Sequence, residues 1–160
     1  MATEINLFVD HETLTLNEDG QWLSNGIEVT HKAQIKAFHQ HIRRRTDGYF
    51  IEIKNETKKI EVKDTPFFVE ALHTSTNARD LWLLSDGTQE PLDPHQLECQ
   101  YSHDRGLKIR VKKSHPHWQP NGAWARLKRS VYHQFLSALE EDSECYFLKF
   151  GGNKIRVHRK

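Results

Sequence analysis

One stretch limits the folds open to this chain: YFIEIKNETKKIEVKD, from Tyr49 to Asp64, because its plan is repeated at the far end of the sequence. There Tyr146-Phe147-Leu148-Lys149-Phe150 leads through Gly151-Gly152-Asn153 to Lys154-Ile155-Arg156-Val157. Alternation with period two marks a half-buried strand, so each copy predicts an antiparallel hairpin. Each copy also follows a segment with helical spacing. Ile35, Phe38 and Ile42 form one stripe between Thr30, read as the N-cap, and about Arg45; Trp124, Leu127, Val131, Phe135 and Ala138 form another after Asn121-Gly122. The shared Tyr-Phe-aliphatic opening and Lys-Ile-charged-Val return favour duplication over two unrelated helix–hairpin units. Tyr49 leads Ile60 by eleven residues and Tyr146 leads Ile155 by nine. That spacing assigns the difference to the turn, where length changes are tolerated.

The rest of the chain supplies further strands. Ile5–Val9, Leu14–Leu16, Ile27–Val29, Phe67–Leu72, Leu81–Leu84 and Leu107–Val111 are apolar or alternating, and Asn17–Gly20, Asn25-Gly26 and Ser85-Asp86-Gly87 are turn-prone. Leu92 to Arg105 is polar and without pattern. The fold class is α+β, with an N-terminal subdomain over 1–78 and a C-terminal subdomain over 79–160 that ends in the closing helix and hairpin.

Composition narrows function mostly by exclusion. Twenty-three basic and 22 acidic side chains leave a formal charge of +1, which argues against an undirected electrostatic grip on nucleic acid or anionic membrane. No apolar run approaches the roughly 20 residues of a membrane helix, and the reading is cytoplasmic. Two cysteines, Cys99 and Cys145, make neither a disulfide framework nor a four-cysteine zinc site. His39 and His41 diverge on a helix, and His115 and His117 lack a carboxylate or cysteine at ligand spacing, so no metal and no cofactor is expected. The chain has no serine elbow, no S-x-x-K and no strand-to-helix glycine loop, and the reading is non-enzymatic.

The basic residues carry more. Lys32, Lys36, His39 and Arg43 lie beside the first apolar stripe, and Arg126, Arg129 and His133 point away from the second. Each set alone is explained as a solvated helix face. In a duplicated protein, equivalent surfaces meet at a seam, where Arg43, Arg44, Arg126 and Arg129 beside Phe67, Trp124 and Tyr132 suit an anionic, ring-bearing ligand such as a nucleotide. Trp124, in the middle of its stripe, reads first as core. Asp64 reads as a turn former that bonds its neighbouring backbone, or as a carboxylate at the seam.

Trp22 with Gly26, Asp47-Gly48-Tyr49, Ala123-Trp124-Ala125-Arg126-Leu127 and, above all, the I-x-V-x-D-x-P-F segment from Ile60 to Phe67 resemble the uncharacterised bacterial family known as domain of unknown function 1285. The resemblance implies a duplicated α+β architecture with a C-terminal half superficially like pleckstrin-homology domains. It also implies a groove between the halves that takes a nucleotide-like ligand in signalling, with a nucleic-acid or protein partner as the alternative. Lys63 departs from it, standing where an acidic residue is common, and so does a final helix followed by two strands.

Overall fold

The computed structural model describes residues 8, 11–73, 80–93, 96–136, 139–141, 146–150 and 153–159. The chain divides into two units, Met1–Asp64 and Thr65–Lys160. The expected strand at Ile5–Val9, apart from Phe8, the glycines of the closing turn and Cys145 lie outside the described residues.

In the N-terminal unit the elements are β1 (Leu14–Leu16), β2 (Trp22–Ser24), β3 (Ile27–Glu28), α1 (Lys32–Gln40), β4 (Ile42–Arg45), β5 (Gly48–Ile53) and β6 (Glu56–Val62). They form one mixed sheet in the order β3-β2-β1-β6-β5-β4, in which only β1 and β6 run parallel. Asn25 and Gly26 have φ of 50° and 83°, so both centres of the β2–β3 turn are left-handed, as a two-residue primed turn requires. Leu14, Leu16, Trp22, Phe38, Ile42, Ile51 and Ile60 make the core. Inside it the Trp22 indole N–H donates to His39 Nε2 at 3.2 Å, so this tryptophan is buried without losing its hydrogen bond.

Two helix expectations are corrected here. The first helix stops at Gln40, and its cap is His31 rather than Thr30, with His31 Nδ1 accepting from Gln34 N at 3.2 Å. Ile42 leaves the helix to pair with Ile51 in the sheet. Arginine is a good helix former, but the open edge of β5 satisfies the backbone of Arg43–Arg45 better than a frayed helix end does. His39, placed with the basic stripe by its spacing, is buried instead.

In the C-terminal unit the elements are β7 (Phe67–His73), β8 (Leu81–Leu84), β9 (Gln89–Pro91), β10 (Cys99–Ser102), β11 (Gly106–Val111), a 3-10 turn at Pro116–Trp118, β12 (Ala123–Leu127), α2 (Arg129–Leu136), β13 (Leu139–Glu141), β14 (Tyr146–Phe150) and β15 (Asn153–Arg159). The sheet order is β13-β14-β15-β10-β11-β12-β7-β8-β9, with β10/β15 and β12/β7 parallel. The second helix is therefore shorter than its apolar stripe. Trp124 and Leu127 belong to β12, which is bonded to β11 on one side and β7 on the other. Ala123, Ala125 and Leu127 are buried on one face of that strand, and two ladders of hydrogen bonds outweigh a helical pattern that a short apolar run fits equally well.

Duplication is visible in the topology. β1-β2-β3-α1-β4-β5-β6 and β10-β11-β12-α2-β13-β14-β15 have the same order of elements, and in each the last strand lies parallel to the first. Both hairpins close over two residues, and Tyr49 faces Ile60 just as Tyr146 faces Val157. The counterpart of Ile60 is thus Val157, not Ile155, and the turns do not differ in length. Strands β7–β9 stand outside the repeat. Among the described residues the protein is mostly β, with two mixed sheets and two α-helices, neither long and apolar enough to cross a membrane.

Candidate functional site

The C-terminal sheet curls. In hydrogen-bonded order β12, β7 and β8 separate β11 from β9, yet the residue after β11, Lys112, touches the β8–β9 hairpin. That hairpin turns at Ser85-Asp86-Gly87, with Gly87 at φ 85° and its N–H on Leu84 O at 2.9 Å. Asp86 Oδ1 accepts from the Thr88 N–H at 3.1 Å and from the Thr88 hydroxyl at 2.6 Å, the local bonding for which aspartate is favoured in turns. Lys112, left-handed at φ 60°, places its ammonium 2.7 Å from Asp86 Oδ2 and 2.7 Å from Thr88 Oγ1. Its backbone N–H donates to both oxygens of Glu90, at 3.1 and 3.0 Å. The side chains of Lys112 and Asp86 are only 8% and 9% exposed, so this is a buried ion pair, with Thr88 bonded to both partners.

A cavity of about 770 Å³ adjoins the junction. Trp82, Glu90, Arg110, Lys112, Lys113 and His115 are among its walls. Arg110 and Lys113 both lean on Glu98, at 3.8 and 3.1 Å, and Glu98 itself is 62% exposed. The Arg110 guanidinium also lies 4.0 Å from the centre of the Trp124 ring, with the Lys108 ammonium at 4.8 Å from the same centre. Trp124 is half-buried and carries cations, which corrects its reading as core.

The two carboxyls at the junction are pushed in opposite directions. Burial raises Glu90 above its ordinary value, against the pull of the Lys112 N–H and charge. Burial would raise Asp86 too, but the bonds from Lys112 and Thr88 together with the Lys112 charge outweigh it and hold the carboxyl low. The folded protein thus holds a proton on Glu90 more tightly than the unfolded chain does. Stability is largest below the ordinary value of 4.5 in this respect and falls as pH rises from there through the folded value. Asp86 acts the other way: its contribution is present above 3.8 and is lost as pH falls through its depressed folded value. Urea titrations from pH 3 to 7 are expected to show a declining limb above the ordinary glutamate value in the wild type and not in Glu90→Gln. Equal limbs in the two proteins would refute this account of Glu90.

The residues singled out from sequence divide between the two units. In the N-terminal unit Arg43 and Arg44 sit on β4, and Arg43 Nη1 bonds Ile42 O at 2.9 Å; burial lowers the Arg43 guanidinium. Asp64 follows β6, half-buried. In the C-terminal unit Phe67 is 2% exposed and meets Trp118 edge to face at 5.0 Å, so it packs the sheet instead of offering a stacking surface. Arg126 is 6% exposed; its Nη1 lies 3.3 Å from Gly106 O, and its backbone N–H donates to Thr65 Oγ1, whose hydroxyl donates to Phe67 O. Tyr132 reaches the same turn, with its ring against Gly106 and its hydroxyl 3.4 Å from that of Tyr101. Arg129 is exposed and bonds His133 within its own helix at 3.3 Å. Arg126 and Tyr132 are thus brought together around Gly106, Phe67 lies under the Lys112 ammonium at 5.5 Å from its ring centre, and Arg129 stands apart.

Asp86, Thr88, Glu90 and Lys112 escape a reading by motif. Asp86-Gly87-Thr88 is legible as a turn, and Lys108 and Arg110 on β11 and Lys112 just after it recur with period two, but no local pattern links the two segments.

No protein-family model and no curated protein matches the chain. Among solved structures it is similar to a DUF1285 family protein from Silicibacter pomeroyi DSS-3, with a TM-score of 0.65 and 15% identity over 91% of this chain and 79% of that one. It is also similar to a DUF1285 family protein from Shewanella baltica OS155, with a TM-score of 0.56 and 20% identity over 81% of this chain and 94% of that one. The likeness read over most of the chain from Trp22 onward is therefore matched in three dimensions, and the chain has the fold of these uncharacterised DUF1285 family proteins.

Proposed function

We propose that this chain is a non-enzymatic, cytoplasmic ligand-binding module that acts in signalling and takes a nucleotide-like anion. The observation that supports the reading is the cavity of about 770 Å³, a volume within the range of small-molecule sites, whose walls combine Arg110 and Lys113 with the exposed ring of His115. The cations suit phosphate oxygens and the His115 imidazole suits a base. Both cations are held by Glu98, which is mostly exposed, so a phosphate that takes the place of this carboxylate displaces a weak partner. In this reading the C-terminal unit is an α+β platform superficially like a pleckstrin-homology domain, as the antiparallel meanders β7–β9 and β10–β12, with α2 against β7 and β12, support.

Thermal shift against nucleotides and cyclic second messengers is the test. A ligand at a hundred times its dissociation constant stabilises by about 2.7 kcal/mol. The shift is expected to vanish in Arg110→Ala with Lys113→Ala. If it survives there and falls in Arg126→Ala with Arg129→Ala, the ligand sits among the residues read from sequence: Arg43, Arg44, Asp64, Phe67, Arg126, Arg129 and Tyr132. Lys108 and Arg110 around Trp124 favour a nucleic-acid-associated adapter as the second reading. That adapter would bind single strands with an affinity falling steeply in salt, whereas a protein-binding adapter would not.

A further inference from the structure

Among the groups that line the cavity, Glu90 is a carboxylate held in place by backbone. It is half-buried on β9, and both of its oxygens accept the Lys112 N–H, at 3.1 and 3.0 Å. A main-chain donor shared in this way sets the plane of the carboxylate without relying on a flexible partner. An ionised carboxylate offers about four acceptor positions, so the shared N–H leaves each oxygen a further lone pair. Arg110 and Lys113 line the same cavity. Its walls therefore carry both signs of charge: two cations lent to the exposed Glu98, and a carboxylate anchored by the chain itself.

We propose that the ligand of this cavity is a guanine nucleotide, with Glu90 reading the base and Arg110 and Lys113 taking the phosphate. The inference rests on the reading of the cavity as a nucleotide site and adds the identity of the base. A phosphate is repelled by Glu90 and drawn to the two cations, so charge turns the base towards the carboxylate. Two parallel lone pairs match two parallel N–H donors, and the guanine edge supplies these as N1–H and the N2 amino group. Adenine and cytosine each present one amino group beside a ring nitrogen whose lone pair faces the carboxylate and is repelled. Uracil presents a single N–H between two carbonyls. Burial sharpens the choice, and it already pushes the Glu90 carboxyl up. A polar group taken from water by a ligand that cannot bond it costs affinity, so the wrong base is rejected as well as the right one held.

Isothermal titration calorimetry of the whole chain with GMP, IMP and AMP tests this. IMP keeps N1–H and lacks the amino group, and AMP has neither donor in that arrangement. The wild type is expected to bind GMP about tenfold or more tighter than IMP, and IMP tighter than AMP. Glu90→Gln keeps the shape and replaces one oxygen with a donor, so the ratio of GMP to AMP affinity is expected to fall to within about threefold. Circular dichroism and the urea midpoint at neutral pH show whether this variant is folded, and the wild-type order of affinities stands as a test without it. A wild type that binds the nucleotides equally or prefers AMP overturns the proposal while the cavity remains a nucleotide site; so does a GMP preference that survives Glu90→Gln. If none of the nucleotides binds, the reading of the cavity as a nucleotide site fails and this inference fails with it.

Discussion

Replacing Lys112 with methionine is expected to destabilise the protein by about 3–5 kcal/mol, because it leaves the Asp86 carboxylate buried without its partner. Methionine keeps most of the volume and inherits the same left-handed backbone, so neither a cavity nor new strain accounts for the loss. The Thr88 bonds remain, yet they cannot neutralise the charge. Lys112→Met combined with Asp86→Asn is expected to recover much of the loss, since an uncharged pair of similar shape no longer needs the solvation that burial removed. Urea unfolding of the two single variants and the double variant gives the coupling directly. A single variant within 1 kcal/mol of wild type would show that water or another group already compensates Asp86, and the junction would lose its claim to hold the curled sheet closed.

The same junction shows why sequence reading reached the fold sooner than the site. Alternation in Tyr49–Val62 and Leu107–Val111 and the Asn25-Gly26 turn are local signals, and the strands and turn stand where those signals put them. Lys112 and its partners Thr88 and Glu90 are 24 and 22 residues apart and meet only because the sheet curls. Phe67 meets Trp118 edge to face and lies under the Lys112 ammonium, contacts that no periodicity encodes. Helix ends misled for a related reason. Ile42 and Trp124 fit a helical stripe as well as a strand, and what decides between them is a neighbouring strand with free hydrogen-bonding groups, β5 in one case and β11 with β7 in the other. The arginines Arg43 and Arg126 were visible as basic residues, but their burial and their carbonyl partners depend on that same pairing.

Gly122→Ala is the other substitution with a large expected cost, about 2–4 kcal/mol. Gly122 has φ of 72°, where an alanine is strained by about 1 kcal/mol or more. Its added Cβ would also lie 2.3 Å from Val111 O, with Lys113 N at 3.1 Å and Lys113 Cα at 3.2 Å. All three are backbone atoms, so relief requires the end of β11 to move, an overpacking that adds about 1–3 kcal/mol. Gly87→Ala is the control: its φ is 85°, yet nothing lies within 4 Å of the new Cβ, so only the backbone term applies. The two variants separate conformational strain from close approach when their urea midpoints are compared, and equal losses would mean that the approach to Val111 is not tight in solution. Because Val111, Lys112 and Lys113 also wall the cavity, Gly122→Ala is further expected to weaken any nucleotide-induced thermal shift, whereas Gly87→Ala leaves it in place.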